Sequence, residues 1–156
     1  MYLLLKLIHI AGVVLFLGNI VTGVFWHHHA WRTRDPRLLA HTMAGIIRSD
    51  RLFTTPGVLI IAIAGVAAAM AGRIPILGTG WILWSIVLFV VSGAVFGTRI
   101  APLQRQLLAL ARAGVERPPF DEASYTQLAA RWRIWAAIAT LAPVIAVALM
   151  VLKPVL

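Results

Sequence analysis

From its first residue to Trp26 the chain is one apolar run, MYLLLKLIHIAGVVLFLGNIVTGVFW, in which Lys6 is the one formal charge. A helix of that length crosses the ~30 Å hydrocarbon core of a bilayer. The first span is set at Tyr2–Trp26, and three more follow at Leu52–Ala71, Leu77–Phe96 and Ile134–Leu152. Backbone N–H and C=O groups find no water in hydrocarbon, so spans of this kind bond within themselves as helices. The predicted fold is all-α, a four-helix transmembrane bundle forming one domain over residues 1–156. Composition agrees, with 61% apolar and 12% charged residues and a mean hydropathy of +0.91. The first run is too long and too poor in basic residues for a signal peptide, and is read as a retained helix.

Arginine sets the expected direction. Arg32, Arg34, Arg37, Arg48 and Arg51 lie between the first two spans, and Arg99, Arg105, Arg112, Arg117, Arg131 and Arg133 between the last two. The middle connection has Arg73 alone. Basic connections stay cytoplasmic, so both termini are expected on the outer side of the cell inner (plasma) membrane. This distribution also accounts for the net charge of +9 without nucleic acid, for which the sequence carries no motif. The expected surroundings are lipid, with a membrane-protein partner or a second copy left open. With no cysteine, disulfides, thiolate metal sites and covalent haem attachment are excluded.

Both basic connections have helical signals. Asp35-Pro36 is a helix start, and Leu39, Met43, Ile46 and Ile47 share one face of a short amphipathic helix expected to lie in the interface. Leu103, Leu107 and Leu110 extend the third helix beyond the membrane, Gly114 and Pro118-Pro119 end it, and Asp121 and Glu122 open the last. Gly57, Ala64, Gly65, Ala68 and Ala71, and likewise Gly93, Ala94 and Gly97, are expected at helix seams. Pro56 reads as a helix start. Pro143, inside the last span, is expected to kink it or free a carbonyl that faces inward. All five acidic residues fall in the expected connections, leaving no paired carboxylates for a proton path.

Candidate chemistry centres on His9. Lys6 and His9 are three apart and share a helix face, and ionisable groups at such depth often mark a site. A neutral imidazole suits a metal or haem, and equally a hydrogen bond to a neighbouring helix. At about the depth of His9 should come Trp81, Trp84 and Ser85 of the third span, Met70 of the second and Met150 of the fourth. His9 with Met70 and Met150 would suit copper, although methionine also fills gaps in ordinary packing. Arg51, beside Asp50 and ahead of Thr54-Thr55-Pro56, suits an anionic headgroup or a propionate, or serves as a plain anchor. His27-His28-His29 point to different faces and read as an interfacial cap. Asn19 and Thr22 read as interhelical hydrogen-bonding groups.

The opening Tyr2-Leu-Leu-Leu-Lys6-Leu-Ile-His9, the block Asp50-Arg-Leu-Phe-Thr-Thr-Pro56-Gly, the helix Trp81…Ser85…Gly93 and the ending Arg133-Ile-Trp135…Pro143…Leu149-Met150-Val-Leu-Lys153-Pro154 resemble a bacterial family. It is the predicted integral membrane family labelled domain of unknown function twenty-two sixty-nine, and the likeness spans nearly the whole chain. More distantly the layout is similar to HemJ-type protoporphyrinogen oxidases and CopD-like copper-resistance membrane proteins. HemJ-type proteins share the Lys-x-x-His of helix one, a Thr-Pro entering helix two and a last helix ending in Lys-Pro. That similarity implies haem or porphyrin handling with His9 at the family's helix-one histidine. Ser85 stands where those proteins carry a lysine, which argues against the oxidase activity here.

The sequence thus favours a haem-b or metal site near the outer face around His9, with Lys6, Ser85 and Arg51 as further cofactor contacts, serving electron transfer or cofactor handling. The alternatives are a non-catalytic subunit or assembly factor of a larger membrane complex, and a copper-handling protein using His9, Met70 and Met150. Whether the chain is an enzyme is left open.

Overall fold

The computed structural model describes residues 1–155. Helix α1 runs Tyr2–Trp31, α2 Pro36–Ser49, α3 Thr55–Ala71, α4 Gly80–Val95, α5 Ala101–Glu116 and α6 Glu122–Leu152. Two five-residue π turns, Asp50–Thr54 and Phe96–Ile100, join α2 to α3 and α4 to α5 without a break. Four continuous helices result, Tyr2–Trp31, Pro36–Ala71, Gly80–Glu116 and Glu122–Leu152, each long and apolar enough to cross a membrane. The two longest have 36 and 37 residues. At ~1.5 Å per residue they are roughly 55 Å long and exceed the ~30 Å hydrocarbon thickness by about four-fifths.

The excess forms a second kind of core at the arginine-rich end. There α2 packs on α5, and α5 on α6. Leu39 and Met43 of α2, Leu107 and Ala111 of α5, and Tyr125 of α6 have no exposed surface. The short helix after Asp35-Pro36 therefore does not lie flat in the interface. Its apolar stripe faces α5, because the two helices continue α3 and α4 and keep one another covered. Asp35 caps α2 as the sequence predicts, and Asp121, expected in the first turn of the last helix, is its N-cap. Asp35 Oδ1 accepts the Arg37 N–H at 2.8 Å, and Asp121 Oδ1 accepts that of Ser124 at 2.9 Å. Hydrogen bonds from Ser124 hold the Asp121 carboxyl below the usual carboxylate range. Arg34, stacked 4.0 Å over Trp31, pairs with Glu122 and ties the first connection to α6.

Within the apolar half the helices associate as two antiparallel hairpins, α1 with α3 and α4 with α6. The α1–α3 seam rests on glycine. A Cβ at Gly12 would stand 2.8 Å from the Ile60 side chain, and one at Gly65 2.8 Å from the His9 ring. The α4–α6 seam rests on serine. Ser85 Oγ donates to the Ala146 carbonyl at 3.2 Å and Ser92 Oγ to that of Ala139 at 2.7 Å. Pro143 has no N–H for the Ala139 carbonyl four residues back, so the oxygen freed by the proline, as the sequence predicts, is the one Ser92 takes. Gly57, Ala64 and Ala68 are buried in their seam, whereas Gly93, Ala94 and Gly97 are exposed. Nothing lies within 4 Å of a Cβ built at Gly93 or Gly97. The α4 seam runs instead through Ser85 and Ser92, on another face.

Leu107, fully enclosed at the arginine-rich end, predicts a stability test. Leu107→Ala should lower unfolding free energy by about 2–5 kcal/mol in detergent. Leu141→Ala, at a side chain 59% exposed, should cost far less. Thermal melts showing equal losses for the two would contradict this core.

Candidate functional site

Each π turn is followed at the same interval by a proline. The segments are Asp50-Arg-Leu-Phe-Thr-Thr-Pro56 and Phe96-Gly-Thr-Arg-Ile-Ala-Pro102. A proline inside a helix lacks an N–H and crowds the carbonyl four residues back. A widened turn absorbs that misfit, with the Thr55 N–H reaching back to the Asp50 carbonyl and that of Ala101 to Phe96. Pro56 thus sits within a continuous helix, not at a free start as its sequence suggested. The wide turn also brings Asp50 and Thr54 inward, to 8% and 3% exposure.

Asp50 is the centre of a polar cluster drawn from three helices. Its Oδ1 accepts from Asn19 Nδ2 of α1 at 3.0 Å and from Thr54 Oγ1 at 2.8 Å. Its Oδ2 accepts from Gln104 Nε2 of α5 at 2.8 Å. Asn19 Nδ2 also donates to Thr54 Oγ1 at 2.8 Å, so every donor in the cluster leads toward the carboxylate. Gln104 is 4% exposed. The ion pair among the described residues is Arg34–Glu122, and Asp50 has no cationic partner. Asp50 therefore does not belong to a solvated connection, where the sequence had placed every acidic residue. The helix simply continues through it.

This cluster borders a cleft of about 250 Å³ between the two hairpins. Phe16, Val58, Phe89, Phe96, Trp132 and Ala139 supply much of its apolar lining. Phe16 and Phe89 meet edge to face across it, with ring centroids 5.9 Å apart. Among the described residues α3 and α4 do not pack on each other, and the lining residues Leu59 and Gly93, one on each, are exposed. The cleft thus opens sideways between α3 and α4, with a polar cluster at the level of the π turns.

His9 lies elsewhere, toward the chain termini. Its Nδ1 stands 2.9 Å from the Ile61 carbonyl oxygen. That oxygen only accepts, so Nδ1 carries the proton and Nε2 keeps its lone pair. Gly65 leaves room for the ring in the α1–α3 seam. The other sequence candidates do not gather round it. Lys6 and Arg51 are exposed, and Arg51 belongs to the π turn at the far end of the α1–α3 seam. Ser85 is buried in the other hairpin, its hydroxyl also donating to the Trp81 carbonyl at 2.7 Å. Met70 is 70% exposed and Met150 half-buried. The cleft lining does not include His9, and no three His, Cys, Asp or Glu side chains among the described residues come together as a metal set. Among the described residues His9 leaves one ring nitrogen without a hydrogen bond, outside the cleft.

His27 departs further from its expected place. It is 1% exposed, with Nε2 3.1 Å from Tyr125 Oη and its ring 4.7 Å from that of Trp132. His28 and His29 are exposed. Helix α1 continues to Trp31, which carries His27 onto the stripe of Phe16 and Ala30 rather than into an interfacial cap. His27 Nδ1 and Trp132 Nε1 have no hydrogen-bond partner.

Asn19 bonds between helices as its sequence position suggested, but its partner Asp50 was missed. An Asp six residues before a proline, facing Asn and Gln on neighbouring helices, is the signal that was available. Neither the curated proteins nor the solved structures include a match to this chain. A family model described as "Predicted integral membrane protein (DUF2269)" matches residues 3–154. Coverage of nearly the full length, with four helices able to span a membrane, shows that the chain belongs to this integral membrane family.

Proposed function

We propose that this protein is a multi-pass protein of the inner membrane that binds a small apolar molecule in the cleft between its hairpins. In this reading it acts as a binding or transfer component, alone or as a subunit of a larger membrane complex. One observation carries the reading: a buried carboxylate without a counter-ion borders an apolar cleft that opens between α3 and α4. Polar groups buried in a membrane bundle are costly and often functional. In this reading the end with eleven arginines, against Arg73 at the other, is cytoplasmic and both termini lie outside, which the bias of basic residues supports.

A second reading keeps His9 as a ligand for haem b or a metal such as copper. Its support is the Nδ1–H bond to Ile61, which fixes the ring and leaves Nε2 available. A second donor or an enclosing wall would then come from another copy or a partner protein. Bound haem would supply electron-transfer chemistry.

Photolabelling in native membranes tests the first reading. A diazirine-bearing octanol should attach to cleft residues such as Phe89 and Gln104, and Gly93→Trp, which projects into the cleft wall, should abolish those adducts. Adducts confined to lipid-facing Leu141 and Val144 would overturn it. The second reading expects a Soret band in the purified protein that disappears in His9→Ala while insertion persists. An unchanged band in that variant would move the ligand elsewhere.

A further inference from the structure

The charge balance at the cleft floor narrows the ligand class. The sequence has five acidic residues. Asp35 and Asp121 cap helices, Glu122 pairs with Arg34, and Glu116 is exposed at the end of α5. Asp50 alone borders the cleft. A carboxylate offers about four acceptor positions on its two oxygens. Oδ1 receives two donors and Oδ2 one, which leaves room for another donor on Oδ2. The cluster supplies donors to Asp50 and no acceptor, which is the pattern that receives an anion. Arg48 and Arg51 on the same long helix and Arg99 and Arg105 on the facing one are all exposed, and none pairs with Asp50. A buried ion left without a counter-ion carries a large desolvation cost.

We propose that the occupant of the cleft is a small apolar molecule bearing a protonated amine, its nitrogen donating to Asp50. This rests on the cleft reading above and adds the chemistry of the head group. An ammonium supplies both the missing charge and the missing donor. Phe16, Phe89, Phe96 and Trp132 line the same space, and aromatic faces attract cations. At about 250 Å³ the cleft lies below the usual ~300–1,000 Å³ range of ligand pockets. It suits one short chain or ring, and its volume is too small for both tails of a lipid. The opening between α3 and α4 gives such a molecule a route from the bilayer, tail first or head first.

Three diazirine-bearing eight-carbon probes test this on the full chain in membranes: an amine, an alcohol and a carboxylate. The amine should label cleft residues at concentrations at least about tenfold below the alcohol, as expected for a charge-assisted hydrogen bond, and the carboxylate should not label them. Asp50→Asn should bring the amine down to the level of the alcohol while the alcohol still labels the cleft. Equal labelling of wild-type protein by amine and alcohol overturns the amine proposal and leaves the cleft reading standing. Failure of both to label the cleft overturns the two together. If Asp50→Asn does not insert, the wild-type ratio of amine to alcohol still decides.

Discussion

Asp50 ties three helices together at one level, where the core of the arginine-rich end gives way to the cleft. Its carboxylate takes hydrogen bonds from Asn19 on α1, from Thr54 within its own π turn and from Gln104 on α5. The first hairpin and the extension of the second are thereby tied at one level. Outside this tie the two halves meet through the α2–α5 core, through α1 and α6, and through the Phe16–Phe89 ring pair. Hydrocarbon gives helices no hydrophobic reason to associate, so a three-donor carboxylate counts for more here than in a water-exposed surface. The same feature that joins the hairpins leaves a carboxyl group at the floor of the space between them.

The molecule joins two packing regimes end to end. In the apolar half, close approach depends on absent side chains at Gly12 and Gly65 and on serine hydroxyls that reach carbonyls of α6. At the arginine-rich end, Leu39, Met43, Leu107 and Tyr125 form a core of the kind found in water-soluble helical proteins. The π turns and prolines fall where one regime gives way to the other. Proline relaxes the ladder of the long helices at that point, and the widened turn aims Asp50 into the bundle. Fold and site thus share a single cause: long helices that must change their packing partner on leaving the membrane.

The four spans were legible because each is a long apolar run, a signal that depends on solvent and not on tertiary contacts. The helix cap at Asp35, the acidic start of the last helix and the inward carbonyl created by Pro143 were legible for a similar reason, since each is a local consequence of residue type. The site was much less so. Asp50 lies next to Arg51 and just before an apolar run, which reads as an anchor at a membrane boundary. Only the continuity of α2 through α3, and Gln104 some fifty residues later, show that its side chain turns inward. His27 was hidden in a run of three histidines, because its burial depends on Tyr125 and Trp132 arriving from the last helix. His9 bonds to a neighbouring helix, one of the two readings its sequence left open, and any role as a ligand depends on Nε2, which sequence does not reach.

The absence of native cysteine makes spin labelling direct. Nitroxides placed by Val66→Cys on α3 and Val87→Cys on α4, both at exposed positions, report the separation of the two hairpins across the cleft by pulsed electron–electron resonance. If Asp50 sets that separation, the protein should give a narrow distance distribution that broadens and shifts when Asp50→Leu is added. An identical narrow distribution in both proteins would show that the hairpins are positioned without the carboxylate.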